Sequence, residues 1–376
     1  MILYQAPYAL ILALVQALTQ VQEITLTFVP KIIAIFLTVS LIVYTNAPVE
    51  TEPEAELAGR HRQVQEYRAA GLVISSPEAT VEFGEITASA LVEGLDLEVY
   101  RTFSAIFADL ETAAEQGDAK RIEALRQAMG EISHLAVALD QTVRFRDLVA
   151  VDAEGTEVLR LDEMDLSLEA DAPLDSDEGS AALVFAGSGF APGPGIGAEA
   201  DALSQLIPTE WRLPLRIEKL PLEDLSDLTI DLLFEQSLDR FSGFPELSGG
   251  QALLAALGKA GTRLVVRDLF VEAPLGRTEA KASLTFAPET PLGVVGMVEF
   301  VVTGLDRILV YAEGLADAET KRWLSAAVLG MMGVGEAVAL QDGSVGYRFS
   351  FWFTPEGEVS MNGFGFGDML NEAVPQ

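Results

Sequence analysis

The stretch Val143-Arg144-Phe145-Arg146-Asp147-Leu148-Val149-Ala150-Val151 begins with alternating apolar and basic side chains, the pattern of a half-buried strand. It returns as Leu264-Val265-Val266-Arg267-Asp268-Leu269-Phe270-Val271-Glu272, and each copy leads into a short turn and another strand. We interpret the pair as a duplicated hairpin unit, with repeated strands near 143–170 and 264–302. Because repeated strands can extend one sheet, the two copies predict a long sheet.

Similar alternation continues beyond Gly71 and puts apolar side chains on one face and acids on the other. This pattern predicts an α+β body dominated by antiparallel strands. Turn signals at Glu154-Gly155, Asp342-Gly343 and Glu356-Gly357 separate the strands. The clearest alternating segments are 81–83, 95–99, 166–169, 228–232 and 298–302.

Helical patterns interrupt these strands. The predicted helices of the body lie at about 105–129, 198–206, 251–259 and 318–332. Residues 47–70 are predicted to form an acidic linker followed by a short helix over 60–70, because two prolines and four glutamates leave little to bury. The body then occupies 71–376.

Composition excludes several classes of function. The 376-residue chain carries 57 acidic and 24 basic residues, a net charge of −33, which repels phosphate backbones and argues against a nucleic-acid partner. There is no cysteine and there are only two histidines, so disulfides, thiolate metal sites and multi-histidine centres are excluded. With 49% hydrophobic residues the chain is too apolar to be a disordered acidic protein.

Polar residues interrupt the apolar N-terminal sequence at regular spacing. Gln16, Gln20, Glu23, Thr27 and Lys31 are separated by 4, 3, 4 and 4 residues, so a helix would place them in one stripe. A polar stripe inside a bilayer must face protein or water. We therefore predict a transmembrane helical segment over 1–46 that packs against other helices.

Three interpretations of this segment stay open. Residues 9–44 are too long for one straight span, and Pro30 favours a kinked or re-entrant helix. The stripe is equally explained as a buried polar seam that only assembles helices. Residues 31–47 also have the order of a signal-peptide core, although thirty preceding residues make that awkward.

The N-terminal sequence contains the motif Gln16-Ala17, Thr19-Gln20-Val21-Gln22-Glu23, Thr25-Leu26-Thr27-Phe28 and Pro30-Lys31. This motif resembles the FliQ family, the inner-membrane subunits of the flagellar and type III secretion export gate. The resemblance spans about residues 9–45 and implies a bacterial inner-membrane location, helical hairpins around an export channel, and membrane protein subunits as partners. Stripe and resemblance together predict a helix interface at Gln16, Gln20, Gln22, Glu23, Thr27 and Lys31.

The body contains R-D-L strands at Asp147 and Asp268, a turn over 303–309 and a closing hairpin over 347–361. With these features it loosely resembles AsmA-type and YdgA-type Gram-negative envelope proteins. It implies membrane lipids as partners, an apolar groove that handles a lipid ligand, and a periplasmic position for the body.

Candidate chemistry is weak. Gly193-Pro194-Gly195-Ile196-Gly197-Ala198 matches a dinucleotide fingerprint in form, but a proline-interrupted strand follows it, which favours a loop. His134 and the acids of 175–178 are most simply structural and solvated, respectively. Met331-Met332 with Trp323 are expected to pack in a core.

We therefore expect no enzyme, no cofactor and no metal. Two functions are predicted. The first is a non-enzymatic inner-membrane component or accessory of a flagellar or type III-type protein export apparatus. The second is a membrane-tethered periplasmic envelope protein whose β-rich body binds lipid or a protein partner.

Overall fold

Each described strand pairs with its neighbours in antiparallel fashion, and together the strands build one long sheet. The computed structural model describes residues 49–53, 60–75, 79–116, 118–130, 136–193, 204–225 and 248–365. Thirteen strands follow one another across the sheet in chain order, and β7 and β12 pair beside β5 and β13. The strands are β1 Val49–Pro53, β2 His61–Ser75, β3 Ala79–Leu95, β4 Ala138–Asp152, β5 Glu157–Asp171, β6 Glu178–Ser188, β7 Ala191–Pro192, β8 Glu210–Pro221, β9 Arg263–Ala273, β10 Gly276–Phe286, β11 Val294–Thr303, β12 Glu336–Ala339, β13 Val345–Phe353, β14 Val359–Met361 and β15 Phe364–Gly365.

Helices enter the sheet through its connections. Two of them, α1 and α2, join the neighbouring strands β3 and β4, whereas α4 and α5 lie between β11 and β12. The helix α3 precedes β9, and a short 3₁₀ helix, Ser204–Leu206, precedes β8. The helices are α1 Leu97–Gln116, α2 Ala119–Gly130, α3 Ser248–Ala260, α4 Leu305–Gly314 and α5 Ala318–Val334.

The predicted fold class, α+β with an N-terminal transmembrane helical segment, is wrong. The fold is mostly antiparallel sheet, with about twice as many residues in strands as in helices. Among the helices of the described ranges, none combines the length and the apolar character that crossing a bilayer requires. Residues 1–46, on which the transmembrane segment was predicted, lie outside the described residues.

Three local predictions are also wrong. The alternating segment 95–99 is not a strand, because the Asp96 carboxylate accepts hydrogen bonds from the backbone N–H groups of Glu98 and Val99 and so caps α1. The short helix predicted over 60–70 is part of β2, which pairs with β3 along most of its length. The turn predicted over 303–309 is the start of α4, whose Leu305 is 1% exposed.

Other predicted elements agree with the structure. The strands at 81–83, 166–169 and 298–302 lie in β3, β5 and β11, and the closing hairpin is the β13–β14 pair. The helices predicted over 251–259 and 318–332 are α3 and α5. The helix predicted over 105–129 is divided into α1 and α2. The strand at 228–232, and all of 198–206 before Ser204, lie outside the described residues.

Both copies of the R-D-L strand contain an aspartate with positive φ. Asp147 in β4 has φ 52° and Asp268 in β9 has φ 56°, a conformation that aspartate tolerates better than most residues. At Asp268 the β9–β10 pairing jumps from Val266↔Ala282 to Leu269↔Ala280, which is a β-bulge. The shared geometry fits the interpretation of a duplicated hairpin, which stays a prediction.

A crease crosses five neighbouring strands at the level of Asp147. Regular pairing is interrupted there between Gly71, Gly84, Asp147 and Asp162, and Gly189 follows at the end of β6. A Cβ on Gly189 would lie 2.1 Å from Oδ2 of Asp162, so this approach requires glycine. The crease shifts the side-chain alternation by one residue in each strand, and buried residues are three apart: Phe83 and Ile86, Phe145 and Leu148, Leu161 and Met164.

The main core lies on one face of β2 to β6, across the crease. Phe83 and Phe145 sit on opposite sides of it with ring centroids 5.4 Å apart. A second core forms where α4 and α5 pack on the end of β11 and β13, around Leu305, Leu324 and Val328. Both cores lie on the same face of the sheet. The crease shifts the alternation by one residue, so the apolar side chains on both sides of it point to that face.

We predict that Phe145→Ala destabilises the fold by about 3–5 kcal/mol, because Phe145 is 1% exposed in the main core. Phe364→Ala is the matched control. Phe364 is 68% exposed at the sheet edge, so its loss should change the free energy of unfolding by less than about 0.5 kcal/mol. Urea unfolding followed by circular dichroism measures both, and equal losses would contradict the assignment of the core.

Candidate functional site: the apolar face of the sheet

One line of paired residues crosses the whole sheet on its apolar face. Each member pairs directly with the next through the strand register, so thirteen residues lie side by side over about 58 Å, at about 4.8 Å per strand. We call it the central row. Its members are Val49, Gln65, Ala90, Gln141, Leu168, Leu183, Leu215, Val266, Ala282, Val298, Phe351, Met361 and Phe364.

A parallel row, four residues away along most of the strands, carries most of the aromatic packing of β2 to β8. Gly187 in this row lies beneath the indole of Trp211, and a Cβ there would approach the ring to 2.2 Å. The rings of Phe185 and Phe190 flank the indole, with centroids 6.0 and 6.5 Å away. The row is Ala69, Ile86, Phe145, Met164, Gly187, Trp211, Val271, Thr278, Val302, Tyr347 and Ala337.

The apolar face is only partly covered. The helices α4 and α5 pack against Val302 and Tyr347 at one end of the parallel row. Along the central row, Leu168, Leu183 and Leu215 are half-buried, and the row ends at the exposed Phe364. An apolar surface that is continuous and still reachable is the usual mark of a binding surface. We therefore take this face as the candidate site.

The opposite face carries an ion-pair ladder on β2 to β5. The guanidinium of Arg144 lies 2.6 Å from Asp165 and 2.9 Å from Glu163, and the hydrogen bond that it donates to the Asp165 carboxylate raises the pKa of Arg144. Arg146 joins Glu163 and Glu85 more loosely, at 3.6 and 3.5 Å. These charges stand in water, and such pairs contribute little to stability. The ladder keeps this face polar.

The polar face also contains a depression of about 420 Å³ over β8 to β11. Arg277 lies 4.3 Å from the centroid of the Phe270 ring and is held by Glu272 and Glu279 at 2.7 and 2.9 Å. Two of the cations that line the depression, Arg277 and Lys281, are paired with neighbouring glutamates. Within the described ranges no cluster of three or more His, Asp and Glu side chains could hold a metal ion.

The residues predicted from the sequence fall mostly elsewhere. Met331, Met332 and Trp323 pack against the core of α4 and α5, as expected. The acids of 175–178 lie at the turn between β5 and β6. His134, 194–198 and the predicted helix interface, Gln16, Gln20, Gln22, Glu23, Thr27 and Lys31, lie outside the described residues.

Comparison with known proteins bears on the N-terminal segment. Residues 1–46 match the family described as bacterial export proteins, family 3. This match confirms the export-family resemblance of that segment, and it supports a membrane and secretion context at the level of the family. The comparisons with curated proteins and with solved structures gave no match. The resemblance of the body to envelope proteins stays a prediction.

Sequence reasoning missed three residues on the apolar face. Neither Gln65 nor Gln141 stands out in the sequence, yet the register places both in the central row. Trp211 has the one side-chain polar atom in the described part of the chain, Nε1, that is fully buried without a hydrogen-bond partner. The sequence around each of these three residues shows the alternation of a strand. Their common position on the apolar face, however, depends on pairing between strands that are distant in the sequence.

We predict a pH-dependent contribution from Glu299 on the polar face. Its pKa is lowered chiefly by the hydrogen bond from Lys281 Nζ, 2.8 Å away. A carboxylate with a lowered folded pKa stabilises the fold above its unfolded pKa, about 4.3, and this contribution is lost as pH falls through the folded value. Lys281→Met should therefore reduce the free energy of unfolding at pH 7 by up to about 1 kcal/mol.

Urea unfolding at pH 7 and pH 3 measures this effect. The difference between Lys281→Met and the wild type should shrink at the lower pH. Lys120→Met, at an exposed position on α2, is the control and should show no such change. A difference for Lys281→Met that is the same at both pH values would contradict the role of Glu299.

Proposed function

We propose that the protein is a non-enzymatic, membrane-associated protein of the bacterial inner membrane whose body binds the acyl chains of lipids on the apolar face. The central row carries the proposal. From Leu168 to Phe364 its nine side chains are all apolar, and most are half-buried or exposed. We propose the periplasm as the position of the body.

Binding of acyl chains fits the physics of this face. An acyl chain has no hydrogen-bonding groups along its length, so it suits a surface whose backbone polar groups are already paired within the sheet. The net charge of −33 keeps such a body soluble although part of the face is open.

The test introduces a charge into the central row. Leu183→Glu should lower the affinity of the purified full chain for radiolabelled oleate-containing lipid by more than about tenfold, because the carboxylate resists burial beside an acyl chain. The matched control is Val184→Glu, the next residue on β6, which faces the polar side. Circular dichroism confirms folding, and Leu183→Gln is the milder second variant.

The control should bind lipid as the wild type does. Equal binding by all three variants would place the lipid elsewhere and contradict the proposed surface. A wild-type protein that binds no acyl chain would end the lipid proposal altogether.

A second function is a role in or beside a flagellar or type III-type export apparatus. The match of residues 1–46 to bacterial export proteins favours it. In this proposal the N-terminal segment assembles with membrane protein subunits through its polar stripe. The two functions are compatible, because they use different parts of the chain.

We expect Glu23→Ala combined with Lys31→Ala to reduce export of secreted substrate and to disrupt assembly of the membrane complex. Polar groups that meet across a protein contact in a membrane are costly to leave unpaired. The control removes an exposed acid and an exposed base of the body, with Glu319→Ala and Lys120→Ala. Unchanged export and assembly in the first variant would count against an export role.

A further inference from the structure

Two adjacent apolar side chains, Leu72 and Val73, are 36% and 53% exposed near the end of β2. Leu72 pairs with Phe83 of the main core and therefore lies on the apolar face. Val73 pairs with Glu82 and therefore lies on the opposite, polar face. We call these four paired residues the hairpin end. Packing on a single core explains apolar side chains on one face of a sheet, but not on both.

The polar face near Val73 offers it no apolar surface to pack on. On this face of β2 and β3, Arg68 forms an ion pair with Glu85, and Glu85 also lies 3.5 Å from Arg146. A half-exposed valine beside such ion pairs adds little to the stability of the fold. Exposed apolar side chains that are contiguous often mark a contact with a partner or a membrane.

The hairpin end is tied closely to the N-terminal segment. The match to bacterial export proteins covers residues 1–46, and β1 begins at Val49. Three peptide units separate residue 46 from Val49, so their Cα atoms are at most about 11 Å apart. The sheet therefore begins directly beside the segment that has a membrane context at the level of its family.

The hairpin end projects well beyond the point at which the chain enters the sheet. Val49 pairs with Gln65, and Leu72 and Val73 follow Gln65 by seven and eight residues along β2. At about 3.4 Å per residue, they lie roughly 25 Å from the level of Val49. The strand β1 is antiparallel to β2, so it runs from Val49 away from the hairpin end. The hairpin end thus lies on the side from which the chain enters, and it projects further than the connection can reach.

The backbone limits how deeply the hairpin end can enter a bilayer. The strand β1 pairs with β2 only over residues 61–65, so the outer edge of β2 beyond them pairs with no strand in the described part of the chain. Unpaired backbone groups are too costly to place in hydrocarbon, but they are tolerated at the level of the headgroups. The net charge of −33 gives no attraction to anionic lipids, so apolar side chains must supply the contact.

We propose that the hairpin end is a second membrane contact of this protein, in which Leu72 and Val73 enter the headgroup region of the bilayer beside the N-terminal segment. Two side chains suffice because the segment already holds them at the surface, so their contact is intramolecular. The proposal rests on the membrane association proposed above. It also places the β2 side of the apolar face next to the bilayer, which is the source of acyl chains.

The experiment exploits the absence of cysteine from the chain. Val73→Cys in the full chain is labelled with a nitrobenzoxadiazole fluorophore and reconstituted into phosphatidylcholine vesicles with or without nitroxide-labelled phosphatidylcholine. The label should lose most of its fluorescence in the nitroxide vesicles. The matched control is Leu174→Cys, at a 39% exposed position in the turn between β5 and β6, at the opposite end of the strands. Its label should keep its fluorescence.

Flotation of the vesicles distinguishes the ways in which this idea can fail. If the chain floats with the vesicles but the label at position 73 is not quenched, the hairpin end makes no contact, and membrane association survives. Equal quenching at positions 73 and 174 would also overturn the proposal, because the contact would not be specific to the hairpin end. If the chain does not float, membrane association fails, and this proposal fails with it. Leu72→Cys repeats the test if circular dichroism shows that Val73→Cys does not fold.

Discussion

The register of antiparallel hydrogen bonds is the constraint on which the rest of the structure depends. Side chains alternate between the two faces of a strand, so a slip of one residue in any pair would move apolar side chains to the polar face. Across thirteen strands the pairing holds one unbroken line from Val49 to Phe364. Even the crease obeys this constraint, because Gly71, Gly84, Asp147 and Asp162 shift together and return the next apolar residues to the same side.

The two faces of the sheet differ in polarity and in how far they are covered. The ladder of Arg144, Asp165 and their neighbours keeps one face in water, and the strongly negative chain repels its own copies there. The other face stays apolar and incompletely covered, since α4 and α5 pack on only one end of it. The proposed lipid binding and the proposed export role use different parts of the chain and are therefore separable in experiments.

Local patterns predicted much of the fold, and non-local pairing accounts for the rest. Alternation identified parts of β3, β5 and β11, and helical periodicity identified α3 and α5 close to their bounds. Alternation was misleading at 95–99, because the Asp96 cap starts a helix within an alternating run. The candidate site was the hardest part to predict, because Gln65 and Gln141 are 76 residues apart and become neighbours of Ala90 only through the register.

Pairing between successive strands has a further consequence. Nearly every strand bonds to the strands just before and after it in the chain, so few contacts tie one end of the sheet to the other. As in repeat proteins, cooperativity then passes from neighbour to neighbour and weakens with distance. Such a sheet can unfold strand by strand from its outermost strands inward, while the strands around Phe145 stay folded.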